Sequence, residues 1–352
     1  MSTDAAKPPP PANVSQAHVS IESVLGVQQH NFWQRFSSSQ AFWVTVALII
    51  ICIVMSWLQP ASFATADNFY NTTRNFSFIG IMALGMTAVI ATGGIDLSVG
   101  SIMGLTAVSC GLVLEAGYPA WAAVIVGLCA GGVAGLINGI IIAYLGLSPF
   151  VTTLGMLAIA RSVAVVLSGN RMIYKFGPGG PAFKALGSGS WNITSKLALS
   201  SPLLFLILFT FILALVYKMT SWGRHVLAIG GNEQAALLTG VPVNRIKVQV
   251  YVFSALTAAF AAILSVGWAG SAINALGATY ELLAISAAVI GGANLMGGEA
   301  SAYGAFIGAA LIFVIRNSLL MEGVDSNWQG TFVGLFLIGA VYLGKLRGAK
   351  RE

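Results

Sequence analysis

Gly93-Gly94-Ile95-Asp96-Leu97-Ser98-Val99-Gly100-Ser101 lies between two long apolar runs and places an acidic side chain among glycines, where a membrane segment would be uniformly greasy. An isolated carboxylate is costly in hydrocarbon, so it survives only where it is paired, wet or functional. Outward from this stretch the apolar runs recur over most of the chain. A crossing needs about 20 apolar residues in helical form, because lipid offers the backbone no hydrogen-bond partner. That rule predicts ten spans: 41–58, 75–92, 99–114, 120–145, 150–168, 202–217, 248–267, 281–292, 302–320 and 330–346. The eighth is short and opens on a charge, as a half-helix or a tilted, protein-buried element would. The predicted fold is an all-α integral membrane protein of about ten transmembrane helices, some broken or short.

Whole-chain composition points the same way. Of 352 residues, 57% are hydrophobic and 8% charged, against about 25% charged in a soluble domain. The mean hydropathy of +0.85 agrees. The net charge of +6 does not indicate nucleic acid, since Lys and Arg lie between apolar runs or at the ends and form no basic stripe. Cys52, Cys110 and Cys129 sit inside apolar runs without CxxC spacing and read as small core hydrophobes. Residues 1–40 are polar, with the run Pro8-Pro9-Pro10-Pro11 and no apolar core. They read as a disordered cytoplasmic tail, not a cleaved signal. The membrane domain is 41–346, and 347–352 form a basic cytoplasmic end.

Orientation follows from Lys and Arg near span ends. With the N-terminus inside, the tail with Arg35, the loop 221–247 with Arg224, Arg245 and Lys247, and the end with Lys345, Arg347, Lys350 and Arg351 are cytoplasmic, while Glu322 and Asp325 face out. The segment 169–201 resists, because it would lie outside yet carries Arg171, Lys175, Lys184 and Lys196. Glycine supplies 41 residues, many at small-xxx-small spacing, as in Gly131/Gly135/Gly139 and Gly304/Gly308, which suits close helix packing.

The opening stretch has a partner in Gly291-Gly292-Ala293-Asn294-Leu295-Met296-Gly297-Gly298, with Asn294 where Asp96 stands. This suggests an internal duplication, parallel or inverted, of the kind found in transporters with a central pathway.

Catalysis finds no support. His18 and His30 lie in the tail and His225 in a loop, and HExxH, Gly-x-Ser-x-Gly and the GxxxxGK[ST] phosphate loop are absent. The chain is expected to be no enzyme and to bind no metal or cofactor of its own. Charges at apolar depth are Asp96, Arg161, Glu281, Glu299 and Arg316. Asp96 is either a proton or sodium relay or a structural acid that caps a broken helix through Ser98 and nearby amides. Arg161 either snorkels outward or pairs with a carboxylate such as Asp96. Gly93, Gly94, Asp96, Ser98, Asn138, Thr152, Thr153, Arg161 and Asn294 are the candidates for the broken helices and the pathway, with Asn75, Thr87, Thr92 and Asn274 as further polar groups at span level.

In the loop 221–247, Asn232 suits an N-cap, Glu233 the first-turn dipole, and Gly240 a helix end before Pro242. Asn232, Glu233, Gln234, Ala235, Ala236 and Gly240 therefore mark a short exposed helix, either a docking knob or an ordinary interfacial helix.

These regions together resemble the permease subunits of bacterial ATP-binding-cassette (ABC) importers of the ribose, xylose, arabinose, galactoside and autoinducer-2 class. The resemblance rests on Gly93 to Ser101, Asn138-Gly139, Pro149 to Gly155, Arg161, Gly231 to Gly240 and Gly291 to Gly298, in that order, and covers about 42–346. It implies a pathway for a monosaccharide or related polyol in the bacterial inner membrane, built from two permease copies, homodimeric or heterodimeric. A separate cytoplasmic ATPase would bind ATP and Mg and receive the 232–240 coupling helix, a periplasmic binding protein would deliver the sugar, and both termini would be cytoplasmic. Membrane lipid and no nucleic acid would complete the partners. The alternative is an ion-coupled secondary transporter that uses Asp96 and Arg161.

Overall fold

The computed structural model describes residues 39–194 and 197–328, with scattered positions from 330 to 339. In chain order the helices are α1 (Gln40–Leu58), α2 (Ala66–Ala91), α3 (Val99–Glu115), α4 (Ala120–Tyr144), α5 (Pro149–Ser168) and α6 (Gly180–Ser188). The hairpin of β1 (Ser190–Asn192) and β2 (Ala198–Ser200) follows. Then come α7 (Ser201–Met219), α8 (Ser221–Gly231), α9 (Glu233–Leu238), α10 (Val243–Ala269), α11 (Tyr280–Ile290) and α12 (Ala302–Met321).

Among the described residues seven helices are long and apolar enough to cross a membrane, α1, α2, α4, α5, α7, α10 and α12, and α3 and α11 are shorter apolar helices. These nine fall on the first nine predicted spans. The tenth, 330–346, lies outside the described residues apart from a few positions, as do residues 1–38 and 347–352. Three features went unread in the sequence: the short helix α6, the hairpin with Trp191 paired to Leu199, and α8.

The helices sort by what they face. Over their most apolar stretches α2 is almost wholly and α10 mostly buried, whereas α1, α5 and α7 bury less than a third of theirs. The outer helices keep large apolar side chains on show, such as Ile53, Trp57, Phe150, Val166 and Phe211, since lipid solvates them as well as protein does. The inner helices trade size for closeness. A Cβ on Gly135 of α4 would stand 2.5 Å from Ala255 Cβ and 2.7 Å from the Tyr251 carbonyl oxygen of α10, and one on Gly139 would stand 2.8 Å from Val248 Cα. The spacing of Gly131, Gly135 and Gly139 is therefore the seam that seats α4 on α10. Gly304 and Gly308 do the same for α12 against Gly291, the residue that caps α11, and Ala287 within it.

The cysteines divide. Cys110 is buried and its Sγ donates to the Ala123 carbonyl at 3.2 Å, but Cys52 is half-buried and Cys129 exposed, so only the first sits in the core. The basic segment that resisted the orientation rule is partly neutralised. Arg171 grips Glu115 at the end of α3 through two bonds of 2.8 and 2.6 Å, and this guanidinium holds the Glu115 carboxyl below the usual carboxylate range. Lys184 lies over the Phe176 ring at 5.9 Å.

The seam makes a prediction with its own control. Gly135→Ala overpacks backbone and is expected to cost about 1–3 kcal/mol, seen as a lower unfolding temperature in detergent. Gly132→Ala meets only Leu256 Cδ2, at 3.5 Å, and is expected to leave that temperature unchanged.

Candidate functional site: two broken helices and an exposed knob

Both glycine-rich stretches end a helix in the same way. At the end of α2, Gly93 N donates to Ile90 O at 2.8 Å and Gly94 N to Val89 O at 3.0 Å, with Gly93 at φ +77°. At the end of α11, Gly292 N donates to Val289 O and Ala293 N to Ala288 O, both at 3.0 Å, with Gly292 at φ +103°. Each is a Schellman ending, which needs a left-handed residue and therefore favours glycine. Each is followed by a side-chain turn two residues wide: Asp96 Oδ1 accepts from Ser98 N and Asn294 Oδ1 from Met296 N, both at 3.0 Å. Asp96 and Asn294 thus correspond, as the sequence suggested. The glycines do not keep the same register, for Gly93 matches Gly292 and not Gly291, and the second stretch is one residue shorter between the two devices.

The surroundings differ. Asp96 is fully buried. Its Oδ1 also accepts from Ser98 Oγ at 2.6 Å and its Oδ2 from Ser254 Oγ of α10 at 2.9 Å. Asn138 Nδ2 of α4 donates to that same Ser98 Oγ at 2.9 Å. The Tyr251 hydroxyl of α10 lies against Gly94, where no Cβ fits. Thr153 Oγ1 of α5 donates to Ile95 O at 3.3 Å, besides Pro149 O at 2.8 Å. One carboxylate therefore ties the α2–α3 break to α10 directly and to α4 through Ser98. Asn294, in contrast, is exposed. Thr152 Oγ1 and Asn138 Oδ1 are buried without a hydrogen-bond partner.

Arg161 does not meet Asp96. From α5 its Nη2 donates to Gly100 O at 3.2 Å, and its Nη1 to the carbonyls of Asn274 and of Leu276, the latter at 3.2 Å. Asn274 Nδ2 in turn donates to Ser168 Oγ at 3.2 Å and to Asn170 Oδ1 at 3.0 Å. Arg161 therefore clamps the α10–α11 loop onto the start of α3. The carboxylate beside this clamp is Glu281, packed against Gly100. The pairing with Asp96, one of the two readings of Arg161, is not formed: that acid accepts from two hydroxyls and an amide. Thr87 and Thr92 bond carbonyls of their own helix, Leu84 and Val89, and read as packing residues.

Two network members were not picked out from the sequence, Tyr251 and Ser254. The signal was available, for Tyr251, Ser254 and Thr257 recur every third residue on α10 and mark one polar face on an otherwise apolar helix.

The loop 221–247 holds two helices. α8 buries Gly223, Val226 and Ile229. α9 is capped by Asn232, whose Oδ1 accepts from Ala235 N at 2.9 Å. It ends before Gly240 at φ +84°, and Glu233 bonds Lys247 of α10 at 2.7 Å. Only Ala236 of this helix is buried, while Leu237 and Leu238 are 62% and 87% exposed. Among the described residues no group of three His, Cys, Asp or Glu side chains could hold a metal.

Comparison with known proteins adds the family. The family model described as branched-chain amino acid transport system / permease component matches residues 68–341. A probable ABC transporter permease protein of Sinorhizobium fredii is 36% identical over 305 residues, 87% of this chain and 89% of that protein. The autoinducer 2 import system permease protein of Salmonella typhimurium is 34% identical over 316 residues, 88% and 92% of the two chains. The ribose import permease protein of Bacillus subtilis is 35% identical over 304 residues, 86% and 92%. No solved structure matches the chain.

The network predicts how Asp96 variants behave. Asp96→Asn keeps an acceptor for Ser98 and is expected to retain most transport, whereas Asp96→Ala orphans buried hydroxyl and amide donors at about 1–3 kcal/mol each and lowers the unfolding temperature. Abolished transport by a normally folded Asp96→Asn protein would instead assign the charge itself a role. Exchanging Asp96 and Arg161 is expected to give no rescue over the single variants, because the two never meet.

Proposed function

We propose a function on one premise: this chain belongs to the permease-component family of branched-chain amino acid transport systems. It is the membrane permease of an ABC importer, and its cargo is a monosaccharide, a polyol or a related small polar molecule. Relatives that import ribose and autoinducer 2 match it over nearly their whole length, and no ion-coupled carrier is needed to explain its buried charges. Asp96 is consumed by Ser98 and Ser254, and Arg161 by three carbonyls, so neither is poised as an ion relay.

The observation that carries the mechanism is the knob. A short capped helix that exposes Leu237 and, almost bare, Leu238, pinned by Glu233–Lys247 and by the single buried residue Ala236, has the form of a surface meant to be covered. Its occupant is a separate ATPase, which binds ATP and Mg on its own residues. Helix α9 then faces the cytoplasm, as do both termini, and the inner bacterial membrane holds the bundle. Two permease copies enclose the path, and a periplasmic binding protein delivers the sugar to the far side. Binding and hydrolysis of ATP shift the bundle between outward and inward states through the ATPase's different affinity for each. A sugar path calls for hydroxyls and amides, not strong charge. Asn138 and Thr152, each with a buried unpaired oxygen, are the groups best placed to supply them, with Thr153 and Asn294 as further candidates.

Leu238→Asp adds a charge where nothing in the chain is packed, so folding should hold. Co-purification of the ATPase and import by the reconstituted three-component system should both fall about tenfold or more, the scale of a lost interface anchor. Undiminished import would remove α9 from the coupling role. Transport by the chain alone in liposomes under an ion gradient would overturn the importer reading itself.

A further inference from the structure

Gly230, the next-to-last residue of α8, stands where three chain segments meet backbone to backbone. Its Cα lies against the Ala91 carbonyl oxygen at the end of α2 and the Gly298 amide of the α11–α12 loop, so closely that no Cβ fits. Gly298 N donates to Ala91 O at 3.0 Å, which joins the two glycine-rich stretches to each other. A Cβ on Gly297 would stand 2.7 Å from Gly230 O and 2.8 Å from Gly230 Cα, and one on Gly298 would stand 3.3 Å from Gly231 Cα. The Met296 carbonyl oxygen is 3.7 Å from where a Cβ of Gly93 would be. The α8–α9 knob, the break that holds Asp96 and the break that holds Asn294 therefore share one junction.

The junction has a mechanical property that side-chain packing lacks. Side chains absorb small shifts by changing rotamer, but backbone pressed on backbone has no such slack, and close-packed interiors pass strain on. Helix α8 is held as a rigid piece by buried Val226 and Ile229 and by Trp222, stacked on Tyr217 at 6.4 Å. It runs into α9 through the single extended residue Asn232, φ −161°.

We propose that Gly230 is a positioning residue for transport: through its contact with Ala91 and Gly297-Gly298, a displacement of α9 moves both broken-helix elements together. The inference rests on α9 being the ATPase-docking helix. It adds that the movement enters the bundle at this junction and reaches the Asp96 network through Ala91 to Gly94, not through the Glu233–Lys247 ion pair alone.

The test uses the complete assembly of permease, ATPase and binding protein in proteoliposomes. Gly230→Ala should reduce import and substrate-stimulated ATP hydrolysis at least about fivefold per folded, ATPase-bound assembly, the lower end of typical coupling effects. Its Cβ presses on backbone as that of Gly135→Ala does, so its unfolding temperature should fall as well, and Gly135→Ala serves as the control for destabilisation alone. Gly231→Ala, whose Cβ meets nothing within 4 Å, should stay close to wild type. Full import by Gly230→Ala would overturn the proposal. Should that variant not fold, hydrogen exchange of the wild-type assembly with and without a non-hydrolysable ATP analogue decides. The proposal expects peptides covering 89–94, 228–232 and 294–300 to change together. A change confined to 228–240 would remove the junction and leave the docking helix standing. No change in 233–240 would remove the docking helix, and the junction with it.

Discussion

Lipid gives a peptide group nothing to bond, and every departure from helix within the bundle has to answer to that constraint. The chain breaks helical structure between α2 and α3 and again between α11 and α12. At each place the exposed ends are satisfied internally: a Schellman ending closes the outgoing helix, and an Asp or Asn side chain receives the amide two residues on. Only where such devices are enclosed by protein can a carboxylate lie fully buried. Among the seven long helices, α2, which runs into the break, and α10, which carries Ser254, are the most buried.

Closeness follows from the same demand. Ser254 reaches Asp96 because α10 lies against the break, and α4 can bring Asn138 to Ser98 because its three glycines let it sit directly on α10. Remove the small residues and the hydroxyls no longer arrive. The acid, the hydroxyl face and the glycine seam form one unit, in which packing sets the polar geometry and the polar geometry specifies the packing.

Function divides between this rigid interior and a bare exterior. In the interior, Asp96 and Arg161 are already engaged, the acid by two serines and the guanidinium by three carbonyls. The exterior offers α9, whose leucines gain by being covered. The chain belongs to the permease-component family of branched-chain amino acid transport systems; on the proposed reading, a partner's energy enters through that surface and the backbone junction beside it.

Apolar runs, glycine spacing and the two related stretches were legible in the residues themselves, because span length and small-xxx-small packing are local or periodic properties. So was the knob, down to the Asn232 cap and the Gly240 end, because capping acts within a few residues. The partners of Asp96 and Arg161 were not. Ser254 lies 158 residues from Asp96, and the carbonyls that hold Arg161 lie 113 and 115 residues away or belong to Gly100. No local rule chooses among the many hydroxyls and backbone oxygens a chain offers. The one-residue slip between the two glycine stretches was hidden for the same reason, since letters align by identity while the backbone aligns by hydrogen bond. The sequence alone determined that this chain lives in a membrane and where it bends; tertiary structure decided which polar groups meet, because buried polar atoms take whatever partner the packing of distant helices brings within reach.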